Sequence, residues 1–183
     1  MRRVVADCRA GRIESHFEQQ PPFGYFSWSY LGDLRECRVL HDPTGTLAAL
    51  KAEATRFPPA LRAAIVRDFL WSAEFTVLFA QGFAGRGDVL NTSGCMTRCA
   101  RAIVQVLFAR NEVFFTSDKT ALAEIERFAA CPRDFGPRVE AVLAALGASG
   151  GELARSVEAM RRIVAETSAL CPEYRPKYPS ILG

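Results

Sequence analysis

The most regular pattern of apolar and polar positions lies between Arg86 and Lys119. Apolar side chains recur there at steps of three, four and seven residues, a spacing that puts them on one face of a long helix. Arg110 and Asn111 lie on or beside this face, and a polar pair there must be hydrogen-bonded, at a chain crossing or at a ligand. The pattern predicts a helix at the centre of a bundle. Its apolar face comprises Val89, Met96, Ala100, Ile103, Leu107 and Phe114.

The chain after residue 43 predicts further helices with short connections. Asp42 and Pro43 have the character of a helix cap and a first-turn residue, so a helix should begin there and run to about Phe57. The stretch from Leu61 to about Phe83 is apolar on nearly every side, as the central helix of a bundle is. About six helices joined by short connections predict a mainly α fold, an antiparallel helical bundle. The remaining predicted helices span 120–130, 135–146 and 151–170.

The N-terminal part has a different pattern. Met1 to Ala10 predicts a short helix, and aromatic residues cluster between Phe17 and Tyr30, where packing is a simpler account than a ligand platform. Glu36 to His41 predicts one strand, which needs a partner in a hairpin or outside this chain. We therefore expect a short mixed segment with one or two strands over 1–43, a helical bundle domain over 44–171 and an extended tail over 172–183.

Composition and charge narrow the class of protein. Hydrophobic residues make up 49% of the 183 residues, which is typical of a globular protein. With 23 basic and 20 acidic residues and no block of like charge, we expect neither a nucleic-acid partner nor a polybasic membrane anchor. The most apolar stretch, Leu61 to Ala84, carries four charged residues and is therefore predicted to be a core helix that does not span a membrane.

The six cysteines are scattered along the chain, and no signal peptide precedes them. We interpret them as reduced, mostly buried thiols, and expect a cytoplasmic location. Cys95 and Cys99 are one helical turn apart and could supply half of a metal site, but both histidines are far away in sequence. We therefore assign no metal ligand.

Glu74 is the only charged residue between Asp68 and Arg86. It is predicted to be a buried or cleft carboxylate, for which an ion pair with Arg67 or Arg110 is the simpler account. We include it among the candidate ligand-binding residues with the polar residues at the two ends of the predicted central helix. Those are Arg86 and Asp88 at one end and Arg110, Asn111, Asp118 and Lys119 at the other.

A purely structural account exists for the second group. Arg110 and Lys119 could simply neutralise the C-terminus of the central helix and its free carbonyl groups. Common catalytic motifs do not help to decide, because the sequence has no phosphate-cradling glycine loop and no H-E-x-x-H. His16 and His41 are interpreted as structural, and no catalytic residue is assigned.

Two motifs carry a resemblance to a known family. The first is L-H-D-P at residues 40–43, and the second is the L-F-A-x-N-x-x-x-F-x-x-x-K pattern that runs from Leu107 to Lys119. With the surrounding sequence, from about Val4 to Leu146, they resemble nucleotidyltransferase-domain proteins of the DNA polymerase beta superfamily. The similar part is their C-terminal helical domain, of kanamycin-nucleotidyltransferase-like architecture.

The resemblance implies a helical, substrate-side domain. The catalytic signature of the superfamily is Gly-Ser followed by Asp-x-Asp, whose carboxylates hold magnesium ions at a nucleoside triphosphate, and this chain lacks it. Residues 1–43 would be the end of the nucleotidyltransferase domain. The implied partners are an upstream nucleotidyltransferase domain or further copies of the chain, with a possible small-molecule acceptor. Magnesium and the nucleoside triphosphate would belong to the catalytic domain, with no cofactor in this chain.

Two other functions stay open. The chain could be a non-catalytic helical interaction module, such as an antitoxin-like or scaffold protein that retains only the bundle. It could also be a free-standing ligand-binding bundle. Likeness of fold does not by itself establish one chemistry.

Overall fold

The computed structural model describes residues 1–18 and 20–182, with side chains as far as residue 180. It confirms the mainly α fold, a helical bundle with a small two-stranded antiparallel sheet near the N-terminus. None of the helices in the described part of the chain is long and apolar enough to cross a membrane. The elements are α1 (Arg2–Arg9), β1 (Ser15–His16), β2 (Tyr25–Phe26), α2 (Ser29–Glu36), α3 (Thr46–Glu53), α4 (Pro59–Gly85), α5 (Val89–Arg110), α6 (Ala121–Ile125), α7 (Phe135–Ala144), α8 (Gly150–Ala169) and α9 (Pro179–Leu182).

Helices α4, α5 and α8 form the centre of the bundle. Helix α4 begins with a proline in its first turn, where the missing N–H costs nothing. A tight turn in which Gly87 has a φ of 70° reverses the chain, and Asp88 then caps α5 by accepting a hydrogen bond from the Asn91 N–H at 3.0 Å.

The predicted central helix is confirmed as far as Arg110, because α5 packs between α4 and α8. Its predicted continuation to Phe114 is wrong, because Glu112, with a φ of 57°, turns the chain, and Val89 at the other end of the predicted apolar face is 41% exposed.

Helix α8 starts with a capping box. The Ser149 hydroxyl accepts from the Glu152 N–H, and the Glu152 carboxylate accepts from the Ser149 N–H at 2.9 Å. Gly147, with a φ of 99°, passes so close that a Cβ there would lie 2.2 Å from the Cβ of Glu152. A glycine is therefore required at the turn that leads into this helix.

The predicted strand over Glu36 to His41 is wrong. Glu36 is the last residue of α2, and the following residues to His41 are irregular and mostly exposed. The strands lie earlier, where Ser15 pairs with Phe26 and His16 with Tyr25. Trp28, two residues after the end of β2, is buried in the core, and helix α2 begins at the next residue. The later apolar residues Val39 and Leu40 are exposed and pair with no strand in the described part of the chain.

Two predicted helix bounds also differ from the structure. The helix expected from Asp42 begins at Thr46, because Asp42 lies before a turn and its carboxylate accepts from the Ala48 N–H at 2.9 Å. The helix expected over 120–130 is the short α6, which ends at Ile125. The tail after α8 is irregular as far as Tyr178 and then forms α9, which packs on α4 and α8.

The N-terminal segment shares the hydrophobic core of the bundle. Val5, Phe26, Trp28 and the residues of α4 and α5 belong to one cluster of buried side chains. The Trp28 indole N–H donates to the buried Gln105 side chain of α5 at 3.1 Å. The aromatic cluster is therefore largely packing, as expected, although the division of the chain at residue 43 stays a prediction.

Candidate functional site

A cavity of about 340 Å³ lies between the N-terminal segment and the loop that follows α5. One wall consists of residues 20–26 together with Ser29, Tyr30 and Asp33 of α2, and the other consists of residues 115–119. We call this cavity the Lys119 pocket. It brings together two predicted site residues, Asp118 and Lys119, with residues that the sequence analysis did not select.

The loop wall is held by aromatic packing. Glu112, with a φ of 57°, reverses the chain directly after α5, and Phe115 is then buried. The Phe115 ring lies 5.4 Å from the rings of Phe23 and Phe108, between centroids. Because these rings fix the backbone at residue 115, the next four residues are placed beside the cavity.

Helix α2 packs directly on this loop through Gly32. A Cβ at that position would lie 2.4 Å from the Thr116 methyl group and 2.9 Å from the Phe114 Cβ. Glycine is thus needed for α2 to approach the loop, and this approach carries Asp33 and Tyr30 to the cavity.

Arg101 of α5 fastens the opposite wall. Its guanidinium donates to the Phe23 carbonyl and lies over the rings of Phe17 and Phe23, at 5.1 and 5.6 Å from their centroids. Burial lowers the pKa of Arg101, because it removes water from around the charged guanidinium, and the nearby charge of Arg98 acts in the same direction. Arg101 was missed by the sequence analysis, and a lone cation on the buried face of α5 was the signal that could have revealed it.

Three charged side chains border the pocket: Asp33, Asp118 and Lys119. All three are exposed, and none has an ion-pair partner within residues 1–18 and 20–182. Tyr25 and Tyr30 meet edge to face at 5.8 Å on the other wall, and the pKa of Tyr25 is raised by burial and then by Tyr30. The pocket therefore offers carboxylate acceptors, an ammonium donor and aromatic surfaces to a small polar molecule.

Arg110 and Asn111 do not reach the pocket as ligand-binding groups. The Arg110 Nε donates to the Leu170 carbonyl at 2.6 Å and so ties α5 to the end of α8. The Asn111 amide donates to the carbonyls of Leu107 and Ala130, both at 2.8 Å, and accepts from the Ala130 N–H at 3.0 Å. These side chains therefore form hydrogen bonds to the backbone at a chain crossing. This is one of the two alternatives expected from the sequence, the other being a ligand.

Arg86 and Asp88 lie at the other end of α5. Helix α5 has 22 residues, so its two ends, and with them Asp88 and Arg110, are roughly 33 Å apart. The Asp88 carboxylate accepts from the backbone and side-chain amides of Asn91, and these hydrogen bonds lower its pKa. The Arg86 guanidinium lies over the Phe83 ring at 5.1 Å. The predicted site residues therefore do not form one site.

Glu74 is fully buried, but its expected ion pair is wrong. Arg67 pairs with Asp68 at 2.6 Å, and Arg110 is bound to a carbonyl group. The Glu74 carboxylate instead accepts from the N–H groups of Lys177 and Tyr178 at 3.1 and 3.3 Å. The tail, distant in sequence, supplies donors that no pattern of side chains indicates.

The second oxygen of Glu74 and the Tyr174 hydroxyl are both buried without a hydrogen-bond partner in the described part of the chain. Burial, and then the charge of Glu74, raises the pKa of Tyr174. The carboxylate thus serves to hold the tail against α4.

The donor sets of the described residues do not form a metal centre. No group of three or more His, Cys, Asp or Glu side chains is placed to hold a metal ion in this part of the chain. The six cysteines are free thiols. Asp33 and Asp118 border the Lys119 pocket without the third carboxylate that the resemblance implies for a magnesium–nucleotide site.

Most residues that line the Lys119 pocket belong to a region of the sequence that matches a family model. No curated protein and no solved structure matches this chain. The matched region begins in β2 and ends immediately after Lys119, so that it contains α2, α3, α4, α5 and both walls of the pocket apart from residues 20–24. The chain belongs to the family described as Domain of unknown function (DUF4037), whose model matches residues 25–120, just over half of its length.

Proposed function

We propose that this chain is the helical, substrate-side part of a nucleotidyltransferase-like protein, and that the Lys119 pocket holds a small-molecule acceptor. The observation that carries the proposal is the set of three charged side chains around one cavity that have no ion-pair partner among the residues that the structure describes. The other candidate residues interact with groups of the chain itself, through hydrogen bonds or, for Arg86, through an aromatic ring. Charged groups left free beside an aromatic-walled cavity are typical of a ligand site.

The motif behind the resemblance supports this assignment. Of its residues, Leu107 and Phe108 are in the core and Asn111 forms the clamp to Ala130. The last two, Phe115 and Lys119, line the pocket. One sequence pattern thus combines residues that hold the fold with residues that face a cavity.

The chemistry of the lining suggests the class of ligand. The carboxylates of Asp33 and Asp118 can accept hydrogen bonds from hydroxyl or ammonium groups, and the Lys119 ammonium can bind a phosphate or a carboxylate. We therefore propose a hydroxylated or amino-bearing acceptor that also carries an anionic or carbonyl group. A cavity of about 340 Å³ is sufficient for one small molecule.

The chain's own residues are given a binding role only. No Gly-Ser followed by Asp-x-Asp occurs in the sequence, and two carboxylates border the pocket where the resemblance implies three at the magnesium–nucleotide site. In this proposal, magnesium and the nucleoside triphosphate are held by a separate catalytic domain. We expect the purified chain to release no pyrophosphate from nucleoside triphosphates with magnesium and a panel of hydroxyl acceptors. Chelator-sensitive turnover by the chain alone would contradict this.

Calorimetric titration tests the pocket directly. The probes are inorganic phosphate, a nucleoside triphosphate and an amino sugar, titrated into the parent chain and into Asp33→Asn, Asp118→Asn and Lys119→Met. We expect the amino sugar to bind and the two carboxylate variants to weaken it about tenfold, with Lys119→Met weakening phosphate-bearing probes. Arg127→Met and Glu140→Gln, at exposed positions away from the pocket, are the matched controls. Binding that no pocket variant weakens, or no binding of any probe, would contradict the proposal.

The non-catalytic alternative also has an observation in its favour. A row of aromatic side chains runs along α4, of which Phe79 is 48% exposed, and an exposed apolar surface is typical of a protein interface. The row does not border the Lys119 pocket, so the two features can be tested separately.

A further inference from the structure

A second cavity lies between helix α4 and the tail, and it shares no lining residue with the Lys119 pocket. Its volume is about 580 Å³, and its walls are formed by residues between 63 and 71 of α4 and between 173 and 177 of the tail. We call this cavity the tail cleft. It is larger than the Lys119 pocket and falls within the range of small-molecule sites, about 300–1,000 Å³.

Two anchors hold the tail side of the cleft in place. Tyr174 is 8% exposed and belongs to the hydrophobic core. The Lys177 N–H donates to the buried Glu74 carboxylate at 3.1 Å, and this carboxylate does not itself line the cleft. Because the anchors lie on either side of Arg175, the backbone of this stretch is ordered before any ligand arrives. Such ordering lowers the entropic cost of binding.

The Arg175 guanidinium lines the cleft with one edge free. Its Nη1 donates to the carbonyl groups of Pro172 and Tyr174 at 2.7 and 3.2 Å, which orients the group. No residue of the described part of the chain accepts a hydrogen bond from its Nε or Nη2. These two nitrogens form one edge of the planar guanidinium, and such an edge can donate to both oxygens of a carboxylate in parallel.

A second cation and an apolar wall lie beside this edge. The Lys177 ammonium is over the Trp71 ring, 5.6 Å from its centroid, and has no carboxylate partner within residues 1–18 and 20–182. Trp71 and Val66 give the α4 wall an aromatic and an aliphatic surface. The cleft therefore offers cations to a charged end and a ring to an apolar body.

The charges of the lining favour a ligand with a single negative charge. Arg67 and Asp68 neutralise each other through two hydrogen bonds, of 2.6 and 3.0 Å. The other charged residues of the lining are Arg175, Lys177 and the exposed Glu173, two cations and one carboxylate. They leave one net positive charge, which a carboxylate balances and a doubly charged phosphate exceeds.

We propose that the tail cleft binds a small aromatic carboxylate. Its carboxylate is bound by the free edge of Arg175 and by the Lys177 ammonium, and its ring packs against Trp71 and Val66. The Lys119 pocket is lined by other residues, so either binding site can fail without the other.

NMR of the ¹⁵N-labelled 183-residue chain tests the proposal, because the chain has two tryptophans and only Trp71 borders the cleft. Trp28 is buried, and its indole N–H donates to Gln105 in the core. The probes are phenylacetate and its neutral analogue phenylacetamide. The indole signal of Trp71, assigned by its loss in Trp71→Phe, should shift saturably with phenylacetate and far less with phenylacetamide. The Trp28 signal should stay in place.

Three cleft variants test the assigned contacts. Arg175→Gln and Lys177→Met should each weaken phenylacetate binding about fivefold, since each removes one charge-assisted contact. Glu173→Gln removes a charge of the same sign as the ligand and should strengthen binding about twofold. Arg127→Met and Glu140→Gln, at exposed positions outside the cleft, are the matched controls and should bind like the parent.

Three outcomes would overturn the proposal. The first is the absence of a saturable Trp71 shift at phenylacetate concentrations up to about 10 mM. The second is equal affinity for phenylacetamide, which would indicate an apolar surface that does not select for charge. The third is binding by Arg175→Gln and Lys177→Met as tight as that of the parent, since the two cations would then not hold the carboxylate.

Discussion

The Lys119 pocket and the Glu74–tail contact are two polar regions that differ in whether their charged groups are exposed or are buried and bound within the fold. Around the pocket, the charged side chains of Asp33, Asp118 and Lys119 are exposed and have no ion-pair partner in the described residues. At the tail contact, one carboxylate is completely buried and is bound to two backbone N–H groups. The first region can change partners without affecting the fold, whereas the second cannot.

This difference separates binding groups from structural groups better than residue type does. Asn111 and Arg110 are as polar as Lys119, but their hydrogen bonds hold α5 to the loop after α6 and to the end of α8. Most buried polar groups are hydrogen-bonded within a fold, and a group whose hydrogen bonds are made there has none left for a ligand. The second oxygen of Glu74 is an exception, since it is buried without a partner in the described residues. Substitutions at structural groups should therefore lower the free energy of unfolding, and substitutions at binding groups should leave it nearly unchanged.

Replacing Glu74 should cause the greatest loss. Glu74→Ala removes the acceptor for two backbone N–H groups and leaves a cavity, so the free energy of unfolding should fall by about 2–4 kcal/mol. Glu74→Gln keeps one acceptor oxygen and should lose less. Urea unfolding measures both, and trypsin cleavage after Lys177 should accelerate in Glu74→Ala as the tail is released. If Glu74→Ala were as stable as the exposed-site control Glu140→Ala, Glu74 would not be a structural group.

Asn111→Ala comes next. The variant loses the contacts with Ala130 and with Leu107, and we expect it to lower the free energy of unfolding by about 1–3 kcal/mol. Asn91→Ala, on the exposed side of α5, is the control and should have a smaller effect. If Asn111→Ala left stability intact but abolished ligand binding, Asn111 would belong with the binding groups.

Glu152 is an exposed carboxylate that the fold nevertheless uses. Hydrogen bonds from the N–H groups of Ala148 and Ser149 and from the Ser149 hydroxyl lower its pKa from 4.5 to about 2. The unfolded chain therefore takes up the proton first, so this contribution is present above pH 4.5 and is lost as the pH falls towards 2. Urea midpoints should fall more steeply over that range in the parent than in Glu152→Gln. Parallel curves would contradict this, and Glu140→Gln should follow the parent.

The smallest effect on stability is expected at the pocket itself. Asp118→Asn and Lys119→Met remove exposed charges without partners, so the free energy of unfolding should change by no more than about 0.5 kcal/mol. Thermal unfolding followed by circular dichroism checks this. A large loss of stability in either variant would mean that the charge is part of the fold after all.

The fold class and the central helix could be predicted because α5 has a periodic apolar face and α4 is apolar on nearly every side. The predicted strand over residues 36–41 was wrong because its apolar run is too short for a local pattern to distinguish a strand from an irregular segment. A short run such as Val39-Leu40 forms a strand only if another strand is adjacent, and these side chains are exposed instead. The pairing of Ser15 with Phe26 depends on tertiary packing of the aromatic segment, which a local pattern does not show.

The candidate site was predicted only in part. Asp118 and Lys119 could be selected because they follow a helix end, but their neighbour Asp33 is far away in sequence and is brought near by the close approach of Gly32 to the loop. Glu74 was correctly expected to be buried. Its partners are backbone N–H groups of the tail, which carry no signature in the sequence.

Backbone amide chemical-shift mapping by NMR tests the central claim most directly, because it locates a ligand without assuming a reaction. An amino sugar and a nucleoside triphosphate are titrated into the isotope-labelled chain, and the shifts are mapped on the fold. Our account predicts that the largest changes fall in residues 20–33 and 115–119, and that they become weaker in Asp118→Asn for the amino sugar and in Lys119→Met for the nucleoside triphosphate. Changes confined to the Glu74–tail contact or to Arg86 and Asp88 would contradict it.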